Sequence, residues 1–182
     1  MSKPIVELDK VEQTIELDEI FGIDFSDKRE LKEYIGQLML DKIRERTANG
    51  IGINGRPLKA PYSKTYSESM EFKAFGKSKG KVNMTLSGDM LGLMDIVDMD
   101  DNKITIGWDD DTEIAKAYNH NAGDTVPKRP FFGLNDKELK EIARELKPTI
   151  KSAVKTLETS GRSKFQDKVL KLIDDLSDDG EG

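Results

Sequence analysis

Apolar residues return at Leu31, Tyr34, Ile35, Leu38 and Ile43, the spacing of three and four that places them on one side of an α-helix. Asp27 with Glu30 resembles a helix start and Asn49-Gly50 supplies a stop, so a long amphipathic helix is predicted here. A second helical face, Leu139, Ile142, Ala143, Leu146, Ile150, Ala153, Val154 and Leu157, continues through Pro148; this predicts a kinked helix or two abutting ones. Asn135 and Glu138 stand where a capping pair would start it. After Ser160-Gly161, Phe165, Val169, Leu172, Ile173 and Leu176 form a last amphipathic piece leading into the acidic run DDLSDDGEG, which is expected to be disordered. The segment from Ile5 to Ile20 fits neither period: its early spacing is helical, while Ile15 and Leu17 alternate. No element is assigned there.

Strand signals lie in the middle of the chain. Val82, Met84 and Leu86 alternate with polar residues, as do Ile104, Ile106 and Trp108 beyond the turn-forming Asp100-Asp101-Asn102. With Met94 to Met99 between them, these predict a small antiparallel sheet. Gly88 and Gly107 could end strands at positive φ. Thr112 to Asn121 reads as a short helix and Arg129 to Leu134 as a last short strand. Between Gly50 and Gly80 no period exists, and Gly, Pro, Ser and Lys surround isolated aromatics; such a stretch reads as an arm, mobile in the free subunit and ordered against a neighbour. The expected fold is therefore α+β: a small antiparallel β-sheet covered by a long N-terminal helix and a C-terminal helix, with a long extended loop. The helix at Leu139–Leu157 is expected to lie over strands near Val82, Ile104 and Phe131. The expected organisation is an N-terminal extension over 1–25, a core domain over 26–160 with the arm 50–80, and a C-terminal helix with acidic tail over 161–182.

Composition narrows the function. With 182 residues, 36% hydrophobic and 35% charged, the core is modest, and an incomplete monomer that waits for a partner is expected. A net charge of -6 argues against a general attraction to phosphate backbones. The absence of cysteine excludes disulfides, thiolate zinc sites and a cysteine nucleophile. No apolar run approaches the roughly 18 residues of a membrane span, so no membrane partner is expected.

Candidate chemistry is sparse. His120 is the only histidine and cannot by itself build a zinc site; it reads as a helix-end residue bonded to backbone. Asp100, Asp101, Asp109, Asp110 and Asp111 read as solvated turn carboxylates. No catalytic residue, metal ligand or cofactor is assigned, and no enzyme is expected. Lysines from Lys59 to Lys81 interleave with Tyr62, Tyr66, Phe72 and Phe75, a mixture that suits nucleic-acid contact or a solvated, partner-ordered loop equally.

The order GRPLKAPYSKTY, VNMTLSGDML, IGW, AKAYNHNAG and VPKRPFFGLNDKEL resembles the phage virion morphogenesis, or tail completion, proteins. In that family a PLS..T segment, an L..TG.L segment, a strand with a terminal Gly, a Y...HQ.G segment and a Pro-Arg-Phe-Leu-Gly motif precede the last long helix. Here they correspond to Pro57–Thr65, Leu86–Leu91, Ile106-Gly107, Tyr118–Gly123 and Pro127–Leu134. The resemblance implies a structural subunit of the neck or tail end of a tailed phage, a tail terminator or head–tail joining protein assembled in the host cytoplasm. It further implies a homo-oligomeric ring, a hexamer, between head-side connector proteins and tail tube or sheath proteins, with DNA passing through the lumen without specific binding. Arg129 beside Phe131 and Phe132 joins a fixed-geometry cation to two apolar anchors, with at least one phenylalanine expected under the last helix. The interface candidates are Lys59, Tyr62, Tyr66, Phe72, Phe75, His120, Arg129, Phe131 and Phe132. The alternative is a nucleic-acid-binding accessory protein acting through the basic arm 59–81.

Overall fold

A computed structural model describes residues 5–7, 11–59, 61–77, 79–84 and 89–178. Its antiparallel sheet runs in the order β1 (Ile5–Glu7), β2 (Glu12–Glu16), β4 (Lys103–Gly107), β3 (Asp95–Met99). The alternation around Ile15 is thus a strand. Gln13 and Ile15 face the core opposite Ile106 and Ile104, while the hydroxyls of Thr14 and Thr105 meet on the other face at 2.9 Å. Part of the segment expected as an N-terminal extension therefore lies inside the sheet. It continues into α1 (Leu17–Phe21), whose Leu17 and Phe21 are buried, as is Phe25 beyond it.

The long helix α2 (Arg29–Ala48) lies across β3 and β4. Gly36 permits this approach, since a Cβ there would fall 2.8 Å from Ile96 Cγ1. Polar ties hold both ends of the β3–β4 hairpin to α2. Lys32 Nζ donates to the carbonyls of Asp100 (2.8 Å) and Asp101 (3.0 Å), and the Arg44 guanidinium donates to those of Leu91 (3.0 Å) and Met94 (2.5 Å).

Among its described residues, the connection between α2 and β3 carries three short helices: α3 (Lys64–Ser67), α4 (Met70–Ala74) and α5 (Asp89–Gly92). After β4 comes α6 (Asp111–Tyr118), continued by one π-helical turn at Asn119–Gly123. The last two helices are α7 (Asp136–Ser160) and α8 (Arg162–Asp178). Helix α7 is a single 25-residue element with Pro148 inside it, and the reciprocal Asn135–Glu138 capping box opens it. It packs on α1 and α8, and α8 returns to α2. Together α2, α7 and α8 enclose one core with the sheet, in which Ile104, Leu139, Ile150 and Phe165 all take part.

Two expected strands are not strands. Val82 and Met84 are buried but pair with no ladder, and Met84 sits at φ 57; Leu86, like the acidic end beyond Asp178, lies outside the described residues. Residues 129–134 form no strand: Gly133 turns the chain at φ 93, and side chains take up several of their backbone groups. Asn121 Oδ1 accepts from the N–H of Phe131 (3.1 Å) and Phe132 (3.2 Å), and Gln13 Oε1 from that of Leu134 (2.7 Å). Alternating apolar residues mark a buried extended segment, and whether its partners are a strand or side-chain amides is not written in the alternation. Gly107 is also not at positive φ. Its surroundings are crowded instead: a Cβ would stand 3.1 Å from the carbonyl oxygen of Val11, so that a side chain there would push its neighbour aside.

Candidate functional site

The flap between α2 and β3 opens with a tight return, in which Leu58 N–H donates to Gly50 O at 2.7 Å and Ile51 bridges Pro57. Serines then start α3 and α4. Ser63 Oγ accepts from Tyr66 N–H (3.2 Å) and Ser69 Oγ from Phe72 N–H (3.1 Å), satisfying donors that a helix start leaves unpaired. These turns bring Tyr62, Tyr66 and Phe72 into a mutual cluster with ring centroids 5.2 to 5.3 Å apart. The expected bare arm thus has a small apolar centre of its own. Outside that centre, Met70 is 86% exposed and Phe75 55%.

Arg129 joins flap to body. Its guanidinium lies 5.5 Å from the centre of the Tyr62 ring, donates to Pro61 O (3.2 Å) and approaches His120 Nδ1 (3.4 Å). Lys77 Nζ stands 5.1 Å from the same ring centre and 3.3 Å from the Tyr62 hydroxyl. An arginine only donates, so Nδ1 of His120 is the acceptor and the imidazole is neutral. Burial, and then the charge of Arg129, push the His120 pKa down to about 4. Burial likewise lowers that of Arg129, opposed by the phenols of Tyr62 and Tyr66. The expected backbone role of His120 is met by its carbonyl, which accepts from Arg129 N–H at 2.7 Å.

The π turn that places His120 also places Asn121, whose Nδ2 donates to Ala117 O (2.8 Å) while its Oδ1 holds Phe131 and Phe132. Trp108 completes this centre, 5.0 Å from Phe132 and 6.2 Å from Phe131 between ring centroids, with its indole N–H on Met90 O at 2.6 Å. As a result Phe72, Arg129, Phe131 and Phe132 are buried within the subunit and are not presented as a docking surface. The physical reason is that Trp108 and Asn121 hold Phe131 and Phe132 inward, while Tyr62 packs on both Phe72 and the Arg129 guanidinium. Tyr62, Tyr66 and His120 are half-buried, and only Lys59 and Phe75 of the nine candidates are exposed. Sequence reasoning missed Asn121 and Gln13, polar residues buried in apolar surroundings, and Met70, whose helical phase within a five-residue element gives no signal.

Between flap and body lies a cavity of about 590 Å³, walled by Tyr62 and Tyr66 on one side and by His120, Val126 and Pro127 on the other. The aspartates read as turn residues act partly as caps: Asp110 accepts from the N–H groups of Thr112 (2.9 Å) and Glu113 (3.0 Å) at the start of α6. Among the described residues no group of three or more His, Cys, Asp or Glu could hold a metal ion, and no helix is long and apolar enough to cross a membrane. Comparison of the chain with protein-family models, curated proteins and solved structures finds no match.

Proposed function

We propose that this chain is a ring-forming structural subunit of a tailed-phage particle, at the neck or the tail end, working by mutual burial between neighbours and not by catalysis. The observation that carries this reading is the flap: a segment folded around its own aromatic cluster that still holds Met70 and Phe75 in solvent. Two large apolar side chains, one at the start of α4 and one just past its end, are a poor surface for a lone subunit and a good one for a neighbour,. The resemblance of the landmark motifs supplies the particle. It gains support from their convergence, since Pro61 and Tyr62, His120 and Asn121, and Arg129 to Phe132 meet in one cluster. The partners on this reading are copies of the chain in a closed ring, a hexamer, with head-side connector and tail tube proteins on its two sides. The net charge of -6 suits a lumen that repels DNA phosphate and lets it pass.

The nucleic-acid alternative loses ground on one point: three of its four stacking platforms are occupied, Phe75 alone standing exposed. Tyr62, Tyr66 and Phe72 pack on one another, and Lys77 and Arg129 approach the Tyr62 ring.

The test is a double substitution, Met70→Glu with Phe75→Glu. Native mass spectrometry should find closed hexamers for the wild-type chain and monomers for the variant, with unchanged melting. Particles complemented with the variant should be unjoined heads and tails. Normally joined virions from a folded double variant would remove the flap from the interface.

A further inference from the structure

Two asparagines of the chain, Asn49 and Asn54, precede a glycine, the pairing in which no side chain on the following residue shields its backbone nitrogen. The fold treats the two differently. Asn49-Gly50 closes α2: Gly50 is buried, its N–H donates to Thr47 O (2.8 Å), its carbonyl accepts from Leu58 N–H (2.7 Å), and a Cβ on it would stand 3.0 Å from the carbonyl oxygen of Val82. Asn54-Gly55 forms the tip of the return that opens the flap. Both residues are exposed, Gly55 sits at φ 71 with nothing within 4 Å of a Cβ placed on it, and its N–H donates to Gly52 O at 2.9 Å within the tip itself. The Asn54 side chain lies back over the main chain, its Oδ1 accepting from Arg56 N–H at 3.0 Å. Arg56, Lys59 and Lys128 line one surface groove with Asn54, and no carboxylate is among the described residues that line it.

We propose that Asn54 is a site of spontaneous covalent modification, an internal cyclisation that turns its amide into a carboxylate. The Gly55 nitrogen, its proton lost to hydroxide, bonds to Asn54 Cγ. Negative charge gathers on Oδ1, where the Arg56 N–H already donates, and the cations of the groove favour that charge. The bond from Cγ to Nδ2 then breaks, and ammonia leaves with a proton taken from water, which restores the hydroxide and closes a cyclic imide between positions 54 and 55. Water opens the imide at either carbonyl. Opening at one leaves an aspartate at position 54; opening at the other leaves an isoaspartyl link, which carries the main chain through the former side chain and lengthens it by a methylene. A water is consumed and an ammonia released, with no oxidation or reduction. The lengthening falls where the root of the flap is tied to the body: Gly52 N–H donates to Arg56 O (2.8 Å), Ile53 N–H to Pro130 O (3.0 Å) and Asn135 Nδ2 to Ile53 O (2.6 Å). The isoaspartyl product therefore loosens the flap. The inference is independent of ring formation.

The experiment incubates the full chain in mildly alkaline buffer, folded and in concentrated urea. Peptide mass spectrometry follows the exchange of NH2 for OH at both asparagines, and released ammonia is assayed beside it. Folding should raise the ratio of the Asn54 rate to the Asn49 rate at least about tenfold over its value in urea, because Gly50 can reach the Asn49 side chain only when the local structure opens. A ratio that folding leaves unchanged or shifts toward Asn49, or no conversion of Asn54 in the folded chain, would overturn the proposal. The effect on the flap is read by comparing the isoaspartyl product, separated by chromatography, with Asn54→Asp, which has the same carboxylate without the added methylene. Trypsin should cut the isoaspartyl form within residues 59–81 at least about threefold faster, since cleavage follows the population of the opened segment. Equal cutting of the two forms would overturn the loosening of the flap.

Discussion

His120 is kept neutral by burial first and by the charge of Arg129 second, and this makes the fold sensitive to acid. Its pKa falls from an ordinary 6.5 to about 4 on folding, so between those values the unfolded chain takes up a proton that the folded chain refuses. Stability is therefore complete above pH 6.5 and declines as pH drops toward 4, by up to about 3 kcal/mol. Urea denaturation across that window should reveal the decline, and His120→Gln should flatten it; an unchanged slope in the variant would show that other groups dominate. A second residue-scale device is the buried pair of Arg46 and Glu138. Arg46 Nη1 lies 2.6 Å from Glu138 Oε2, while Nη2 donates to Gly133 O at 2.9 Å and to Phe131 O. Arg46→Met should cost about 3–5 kcal/mol, because Glu138 would remain buried without its counter-charge. Arg46→Lys should recover little, since a single ammonium cannot reach both the carboxylate and the two carbonyls.

At the scale of elements, amide side chains stand in for a strand. Asn121 and Gln13 satisfy the segment 131–134 from opposite sides, so Asn121→Leu should destabilise by about 2–4 kcal/mol, as two buried N–H groups lose their acceptor. A calorimetric loss below about 1 kcal/mol would mean that water replaces the amide. Because Phe132 packs on Trp108, Phe132→Ala should cost about 3–5 kcal/mol and act through folding and not through docking. These effects explain what the sequence could and could not reveal. Helices α2 and α7 were legible because their periodicity, and the Asn135–Glu138 box, are local. Strand β2 was hidden because only Ile15 of its five residues is a large apolar one, its core-facing partner being the amide of Gln13. The strands expected at Val82 and Arg129 failed because alternation reports burial and not the identity of the hydrogen-bond partner. The membership of the Arg129 cluster was visible in the motif; its burial depended on Trp108, 21 positions away by number.

At the scale of the molecule, charge and surface pull apart. The flap exposes Lys59, Lys64, Lys73, Lys79 and Lys81, yet the whole chain is acidic and three of the flap's aromatic rings, Tyr62, Tyr66 and Phe72, are engaged with one another. Binding to double-stranded DNA at physiological salt should therefore be weaker than about 100 µM, the weak end of non-specific affinities. Fluorescence anisotropy with a labelled duplex would check this, and tight, salt-dependent binding would revive the nucleic-acid reading.

The position of β2 inside the sheet has a consequence for how the chain is made. Thr14 meets Thr105 across 91 positions, and Gln13 grips Leu134 across 121. On a ribosome the second strand emerges with only β1 beside it, and its other edge stays unpaired until the β3–β4 hairpin has been synthesised. Contacts of such separation slow folding, and an unpaired strand edge is an invitation to other chains. The nascent protein thus carries an unpaired strand edge from the first residues of synthesis past the midpoint of the chain, and a chain released before Lys103 would lack the strand that joins β2 to β3 beneath α2.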